Sequence, residues 1–181
     1  MRLFIAIEIP AEVKKILSTL RRDIPGVRWV PPEQLHLTLL FLGEVAPENL
    51  DRLCTALAAI TIAPFTLTFD RTGCFPRPTA PRILWAGIKP QPALSRLVHL
   101  AREAAAECGV IVEEKPFSPH ITLARIKHPN PCPVNDYSGR PITDKKLSVP
   151  VDRFILYQST LTQQGAIHEA IRAFRFIAPT H

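Results

Sequence analysis

His36-Leu37-Thr38-Leu39 returns later in the chain as His120-Ile121-Thr122-Leu123. Each copy is called here a His-x-Thr motif. Both copies lie in short apolar runs next to prolines, which predicts strands rather than helices. Successive side chains of a strand point to opposite faces, so each His shares a face with its Thr, roughly 6.6–7 Å away along the backbone. One such pair is common in strands, but two copies with matching polar and apolar positions predict one site built from two halves.

The repeat extends beyond the motifs themselves. Pro31-Pro32 precedes the first motif, Pro116 and Pro119 precede the second, and an amphipathic helix is predicted upstream of each. Helical spacing of apolar residues predicts helices near residues 10–24, 47–60 and 92–108. Strands are predicted at residues 3–9, 27–30, 35–42, 65–70, 82–88, 110–113, 121–126, 149–157 and 166–176. This order predicts an α+β fold with antiparallel sheets rather than a doubly wound parallel sheet.

Two segments are predicted to be loops because they are rich in proline. Residues 74–81 contain three prolines, and residues 128–146 contain four prolines and a glycine with few apolar residues. The longer segment is expected to be a surface loop, either plainly irregular or a flap over a ligand.

Composition restricts the class of protein. With 181 residues, 46% of them hydrophobic and 21% charged, the chain is predicted to form one soluble domain or two closely joined lobes. The net charge of +6 favours a polyanionic or phosphate-bearing partner, with an ordinary basic surface as the alternative. The apolar amino end is too short for a signal peptide and no run reaches the ~18 residues of a membrane helix, so we expect a cytoplasmic protein without a membrane segment.

The four cysteines show neither a zinc pattern nor a redox pattern. Cys54, Cys74, Cys108 and Cys132 are far apart, with no Cys-x-x-Cys, so free thiols in a reducing compartment are expected.

The chemistry of two imidazoles and two hydroxyls favours acid–base catalysis. A zinc site would need a third ligand beside the histidines, and a serine hydrolase would need a Gly-x-Ser-x-Gly turn, which the sequence lacks. Two histidines of ordinary pKa ~6.5 can act as general base and general acid near neutral pH. Threonine hydroxyls can donate to an oxyanion, and a cation such as Arg125 can neutralise a phosphate. The set therefore predicts in-line transfer at phosphorus without a metal or other cofactor.

The two motifs resemble those of the 2H phosphoesterase superfamily. Along nearly its whole length the chain is similar to the RNA 2′,3′-cyclic phosphodiesterases, also called the 2′-5′ RNA ligase family. The similar segments are Arg2-Leu3-Phe4-Ile5-Ala6-Ile7, Leu35-His36-Leu37-Thr38-Leu39, Phe41-Leu42-Gly43-Glu44, Arg82, Trp85-Ala86-Gly87, and Pro116-Phe117-Ser118-Pro119-His120-Ile121-Thr122-Leu123-Ala124-Arg125.

The resemblance implies one bilobed domain spanning residues 1–181. Its two lobes would be related by a pseudo-twofold axis, as two antiparallel sheets that face a central cleft and carry helices on their outer faces. The implied activity is metal-independent hydrolysis of a terminal RNA 2′,3′-cyclic phosphate to a 2′-phosphate, with 2′-5′ ligation as the reverse reaction. The implied partner is RNA or a nucleotide with such an end, bound by a monomer. The alternative is a nucleotide- or RNA-binding module without turnover, and the intact motifs argue against it.

The resemblance also assigns residues by position. It makes His120 the base for water and His36 the acid for the 3′ oxygen, although a site of near-twofold symmetry allows the reverse. Thr38, Thr122 and Arg125 would bind the phosphate. Regular strand parity would turn Arg125 away from the cleft, so its role requires a bulge or the strand's end.

Further aromatic and histidine side chains are candidates of lower rank. Phe41 and Tyr157, and also Trp29 and Phe75, are candidates to stack on a base. His168 lies in the last hairpin, where the family has another polar or aromatic residue near the cleft. His99 is expected to be structural, and His128 and His181 to lie on the surface.

Overall fold

The computed structural model describes residues 1–113, 115–127, 137–143, 147–163 and 165–177, and these contain nine strands and three α-helices. The strands are β1 (Arg2–Glu8), β2 (Val27–Trp29), β3 (His36–Glu44), β4 (Phe65–Phe75), β5 (Ile83–Ile88), β6 (His120–Ile126), β7 (Ser148–Val151), β8 (Arg153–Thr162) and β9 (Gly165–Arg175). The helices are α1 (Ala11–Ser18), α2 (Leu50–Ala58) and α3 (Pro92–Glu107).

The strands form one antiparallel path in the order β7-β4-β5-β6-β3-β1-β8-β9, with β2 paired to β6. The α+β prediction with antiparallel pairing is confirmed. The path divides into two halves at the contact between β3 and β6, the two motif strands. These two strands share a single paired position, Leu37 opposite Ile121, and both side chains are fully buried.

The two halves repeat the same local arrangement around this contact. In the first half β1 runs antiparallel to β3 and places Glu8 opposite His36. In the second half β5 runs antiparallel to β6 and places Gly87 opposite His120. The pseudo-twofold relation therefore passes between Leu37 and Ile121.

The helices cover one face of the sheet and leave the motif histidines on the other. The apolar motif positions Leu37, Leu39, Ile121 and Leu123 belong to the hydrophobic core, together with the buried sides of all three helices. His36, Thr38, His120 and Thr122 are only half-buried. This alternation confirms the strand parity predicted from the sequence.

Three of the predicted strands differ from the observed ones. Residues 110–113 form no strand, because the chain leaves α3 through a tight turn closed by Val110 N–H donating to Ala105 O, and Ile111 is exposed. β4 continues to Phe75, into the predicted loop, since its pairing with β5 satisfies the backbone there. The predicted strand at 149–157 is two strands, because the chain passes at Asp152 from β4 as its partner to β1 and β9.

Only part of the predicted loop at 128–146 can be described. The flap prediction falls on residues 128–136 and 144–146, which lie outside the described residues together with His181; the first range includes His128 and Cys132. Residues 137–143 pack along β4. The hydroxyl of Thr72 donates to Tyr137 O, Gly139 N–H donates to Thr72 O, and Ile142 N–H donates to Asp70 O.

The prediction of free thiols is confirmed at the three described cysteines. Cys54, Cys74 and Cys108 are buried free thiols. Within the described ranges, no helix is long and apolar enough to cross a membrane.

Candidate active site

Each motif histidine is held by the backbone just before its strand. His36 Nδ1 lies 2.7 Å from Gln34 O, and His120 Nδ1 lies 2.7 Å from Ser118 O. A carbonyl oxygen only accepts, so Nδ1 must carry the proton in both rings. This leaves Nε2 of each neutral imidazole as a proton acceptor, and Nε2–H of each imidazolium as a donor. A single 3-10 turn at Pro32–Gln34 precedes this contact in the first motif, and Pro119 stands between Ser118 and His120 in the second.

The contact between the motif strands decides which groups face one another. Leu37 is opposite Ile121 in an antiparallel pair, so one residue to either side His36 is across from Thr122 and Thr38 is across from His120. The histidines thus occupy two diagonal corners of the site, and the threonines occupy the other two. Diagonal positions in such a pair are about 7–8 Å apart at the backbone, which leaves room for a phosphoryl group between the rings.

A bulge in each motif strand changes the parity after the threonine. In β3 the partners of Ala6 and Ile5 are Thr38 and Leu40, so Leu39 is the extra residue. In β6 the partners of Trp85 and Leu84 are Thr122 and Ala124, so Leu123 is the extra residue. Two consecutive residues are buried in each strand as a result, and the next side chain is exposed. The exposed residue is Arg125 in β6 and Phe41 in β3.

The bulge turns Arg125 towards the cleft, as its predicted role requires. Its guanidinium lies near enough to His36 and His168 to lower the pKa of both imidazoles. Among the described residues Arg125 has no hydrogen bond or ion pair, so its fork of donors is open to a ligand. Thr38 and Thr122 likewise have no side-chain hydrogen bond within the described chain.

Aromatic side chains of the first half surround His36. Its ring centroid is 5.2 Å from Phe4, 5.2 Å from His168 in an edge-to-face contact, and 6.5 Å from Tyr157. The first half therefore brings His168 into the site next to a motif histidine, as the resemblance suggested. Sequence reasoning missed Phe4, because both faces of the apolar run in β1 are buried and its alternation carries no signal.

A second aromatic wall stands beside His120. Its ring centroid is 5.0 Å from Phe75 and 6.5 Å from Trp85. The indole of Trp85 lies flat over Gly73, where an added Cβ would come within 2.2 Å of Trp85 Cζ2. Glycine is needed at position 73 because any side chain there would displace this wall.

Burial and charge act unequally on the two motif histidines. The pKa of His36 is lowered from 6.5 to about 4, chiefly because burial penalises the charged ring, and His168, Lys14 and Arg125 add to this. The pKa of His120 is lowered by burial, and the hydrogen bond to Ser118 opposes the shift. Lys14, on α1, is a second residue that the sequence did not point to.

The candidate stacking residues divide into two groups. Phe41 is 65% exposed with its ring 6.0 Å from Phe4, and Tyr157 stacks on Phe4 at 5.2 Å, so both border the cleft. Trp29 pairs with Ala124, on the opposite face from Arg125, and packs against Tyr137.

His99 is exposed on α3, with Nε2 3.3 Å from Glu103. The part of the chain that the structure describes contains no group of three or more His, Cys, Asp or Glu side chains able to hold a metal ion.

Comparison with known proteins identifies relatives along the whole chain. The model of the LigT-like phosphoesterase family matches residues 7–85 and again residues 88–168, once for each motif. An Archaeoglobus fulgidus protein named RNA 2′,3′-cyclic phosphodiesterase is 36% identical over 96% of this chain and 99% of its own. A Thermus thermophilus protein of the same name is 39% identical over 96% of this chain and 89% of its own.

Solved structures agree with the sequence comparison. The crystal structure of TT0787 of Thermus thermophilus superposes with a TM-score of 0.84 at 36% identity, covering 99% of this chain and 100% of that one. Escherichia coli LigT in complex with 3′-AMP superposes with a TM-score of 0.80 at 31% identity, covering 97% and 96%. The fold described above is thus shared with Escherichia coli LigT, which has been crystallised with 3′-AMP.

Proposed function

The chain belongs to the LigT-like phosphoesterase family, and from this premise we propose that it hydrolyses the terminal 2′,3′-cyclic phosphate of RNA to a 2′-phosphate. It is a phosphoric diester hydrolase of the cyclic phosphodiesterase class, as its curated relatives are. The single observation that carries the finer proposal is the diagonal placement of two Nδ1-anchored histidines with a threonine opposite each.

The diagonal suits an in-line displacement at phosphorus. In the direction implied by the family, water attacks phosphorus while Nε2 of His120 takes its proton. The bond from phosphorus to the 3′ oxygen breaks, and that oxygen takes a proton from Nε2 of His36. The product holds a 2′-phosphate and a free 3′ hydroxyl, and proton exchange with solvent restores both rings. Each proton transfer of this kind contributes about 10²–10⁴-fold to the rate.

The electrostatics of the free site bear on the acid role. Burial, Lys14 and Arg125 keep His36 neutral at pH 7, with a pKa of about 4. A cyclic phosphate carries one negative charge, and an anion beside an imidazole raises its pKa. His36 therefore becomes a competent acid only after the substrate has bound. Without that rise the roles exchange, and His36 acts as the base.

Thr38, Thr122 and Arg125 complete the site as phosphate ligands. The hydroxyls at the other two corners donate to the non-bridging oxygens, and Arg125 supplies charge-assisted hydrogen bonds to them. One chain supplies both halves, so a monomer suffices. The same groups serve the reverse 2′-5′ joining of RNA ends by microscopic reversibility.

The proposal is tested with nucleoside 2′,3′-cyclic phosphates. Chromatography against both standards should show the 2′-phosphate as the only product isomer, whereas the 3′-phosphate would overturn the assignment of the leaving oxygen. Binding without turnover would favour the non-catalytic module.

A substrate with sulfur in place of the 3′ oxygen then separates the two histidines. Its leaving group needs no proton, so it should restore the rate of the variant that lacks the acid and leave the other variant slow. Rescue of His36→Ala supports His36 as the acid, and rescue of His120→Ala reverses the roles.

A further inference from the structure

An aromatic wall stands beside each motif histidine, although hydrolysis brings only one terminal nucleoside to the reacting phosphate. The first aromatic wall surrounds His36 and consists of Phe4, Phe41 and Tyr157. The second aromatic wall lies beside His120 and consists of Phe75 and Trp85. Water is the other reactant in the proposed hydrolysis, and water needs no aromatic surface.

Two glycines let the indole of Trp85 lie flat against the sheet. Trp85 is opposite Gly73 in β4 and opposite Thr122 in β6, so it stands on the cleft face of the sheet. A Cβ on Gly73 would overlap the indole, and a Cβ on Gly87 would come within 2.9 Å of it. Both glycines are buried beneath the ring, whereas Trp85 is only half-buried. The accessible part of the indole therefore faces the cleft.

Phe75 connects this indole to the motif histidine. The centroid of its ring is 5.2 Å from that of Trp85 and 5.0 Å from that of His120, which it meets edge-to-face at 83°. Phe75 is half-buried as well. Because Nδ1 of His120 is held by Ser118 O, its Nε2 is the nitrogen that takes a proton in the cleft. An apolar surface of two rings thus adjoins the proposed base.

An in-line reaction places the two aromatic walls on opposite sides of the phosphorus. The attacking and leaving oxygens of a phosphoryl transfer lie roughly in line. The leaving 3′ oxygen belongs to the ribose of the substrate, so this ribose and its base lie on the side of His36, the proposed acid. The attacking oxygen enters on the side of His120. The molecule that supplies this oxygen therefore meets Trp85 and Phe75.

An aromatic surface at this position suits an attacking molecule that carries a nucleobase, because every base has a π face that stacks on such side chains. We propose that Trp85 and Phe75 bind a second nucleoside, whose 5′ hydroxyl attacks the cyclic phosphate in place of water. This inference rests on the proposed function, with His120 as its base. It adds the site at which the second RNA end binds in the joining reaction.

The joining step uses the same proton transfers as hydrolysis. Nε2 of His120 takes the proton of the 5′ hydroxyl, and the oxygen of that hydroxyl bonds to phosphorus. The bond from phosphorus to the 3′ oxygen breaks, and that oxygen takes a proton from Nε2 of His36. The product is a 2′-5′ phosphodiester with a free 3′ hydroxyl.

The test measures how the cyclic phosphate is divided between water and an added alcohol. Adenosine 2′,3′-cyclic phosphate is incubated with the full chain and one acceptor, and chromatography gives the ratio of transfer product to 2′-phosphate. The acceptors are adenosine, methyl riboside, which has the same sugar hydroxyls without a base, and 5′-deoxyadenosine, which has the base without the 5′ hydroxyl. Both products come from the same bound cyclic phosphate, so every variant carries its own reference.

Trp85→Leu removes the proposed stacking surface. Trp29→Leu is the matched control, because it removes the other tryptophan of the chain, which pairs with the buried Ala124 on the opposite face of the sheet. In the wild type and in Trp29→Leu, the transfer ratio for adenosine should exceed that for methyl riboside by about tenfold, as expected for one stacked base. Trp85→Leu should lower the adenosine ratio to that of methyl riboside. 5′-Deoxyadenosine should give no transfer.

Equal wild-type ratios for adenosine and methyl riboside overturn the second nucleoside site, even if Trp85→Leu fails to fold. Hydrolysis without transfer, or transfer to 5′-deoxyadenosine, overturns it too. A preference for adenosine that Trp85→Leu retains overturns the assignment to the second aromatic wall. The proposed function stands in these cases as long as the 2′-phosphate forms, and it fails separately if the cyclic phosphate is not hydrolysed.

Discussion

The half-buried imidazole of His36 should make folding sensitive to acid, and replacing it with Asn should remove that sensitivity. In the folded protein the pKa of His36 is about 4, against 6.5 for an unperturbed ring. Between these two pH values the unfolded chain binds a proton at this residue and the folded chain does not. Stability must therefore fall as the pH drops through this window.

The size of the effect follows from the separation of the two pKa values. One unit is worth about 1.4 kcal/mol, so the fall from 6.5 to about 4 corresponds to roughly 3 kcal/mol. That is a large share of the 5–15 kcal/mol that stabilises a typical domain. His36→Asn has no group that titrates in this range, and its amide can still donate to Gln34 O.

The free energy of unfolding is measured by urea unfolding at a series of pH values from 4 to 8, with the fluorescence of Trp29 and Trp85 as the signal. The wild type should lose up to about 3 kcal/mol more than His36→Asn between pH 7 and pH 4. His99→Asn is the matched control, because it removes an exposed imidazole from the outer surface of α3, and it should follow the wild type. A stability difference between wild type and His36→Asn that stays constant across this range would refute the burial argument.

Three further outcomes are expected of the enzyme. The profile of kcat/KM between pH 4 and 9 should be bell-shaped, with both limbs below the ordinary histidine pKa of ~6.5. Burial lowers the pKa of His36 and of His120, and the facing groups His168, Lys14 and Arg125 lower the pKa of His36 further. A plateau of kcat/KM from pH 7 to 9 would contradict this expectation. His36→Ala and His120→Ala should each reduce kcat by about 10²–10⁴-fold. The double variant should be little worse than the poorer single variant, because the two rings act in one step. Near-normal turnover of either single variant would show that its histidine is neither the acid nor the base. Turnover should persist after dialysis against EDTA, since the proposed proton transfers use only the chain's own side chains, and loss of activity that zinc or magnesium restores would show a metal-dependent reaction.

Local sequence signals were sufficient for the motif strands. In β3 and β6 the alternation of polar and apolar residues matches burial residue by residue as far as the threonine, and prolines lie just before the start of both strands. These signals depend on neighbours in the chain. The need for a bulge before Arg125 could also be predicted, because strand parity and the expected role of this side chain conflicted.

Features that depend on distant pairing could not be predicted. Nothing local marks Asp152 as the point where the chain leaves one half of the sheet for the other, because the apolar pattern runs on from β7 into β8. The contact of His168 with His36 joins strands that are far apart in the chain. The family resemblance indicated only that a residue of the last hairpin lies near the cleft. Local proline content predicts a loop at Phe75, but the pairing of β4 with β5 extends the strand through this residue and positions its ring beside His120.

The two halves of the sheet do not correspond to the two halves of the chain. The first half takes β1 and β3 from the amino-terminal part but β8 and β9 from the carboxyl end. The second half takes β2 and β4 from the amino-terminal part and β6 and β7 from the carboxyl-terminal part. Each segment thus completes the hydrogen-bonding ladder of the other, so neither can be excised as an autonomous fragment. If the chain were cleaved once between β5 and α3, the two fragments would stay associated through the hydrogen bonds of these interleaved strands, and the cleft would keep its structure.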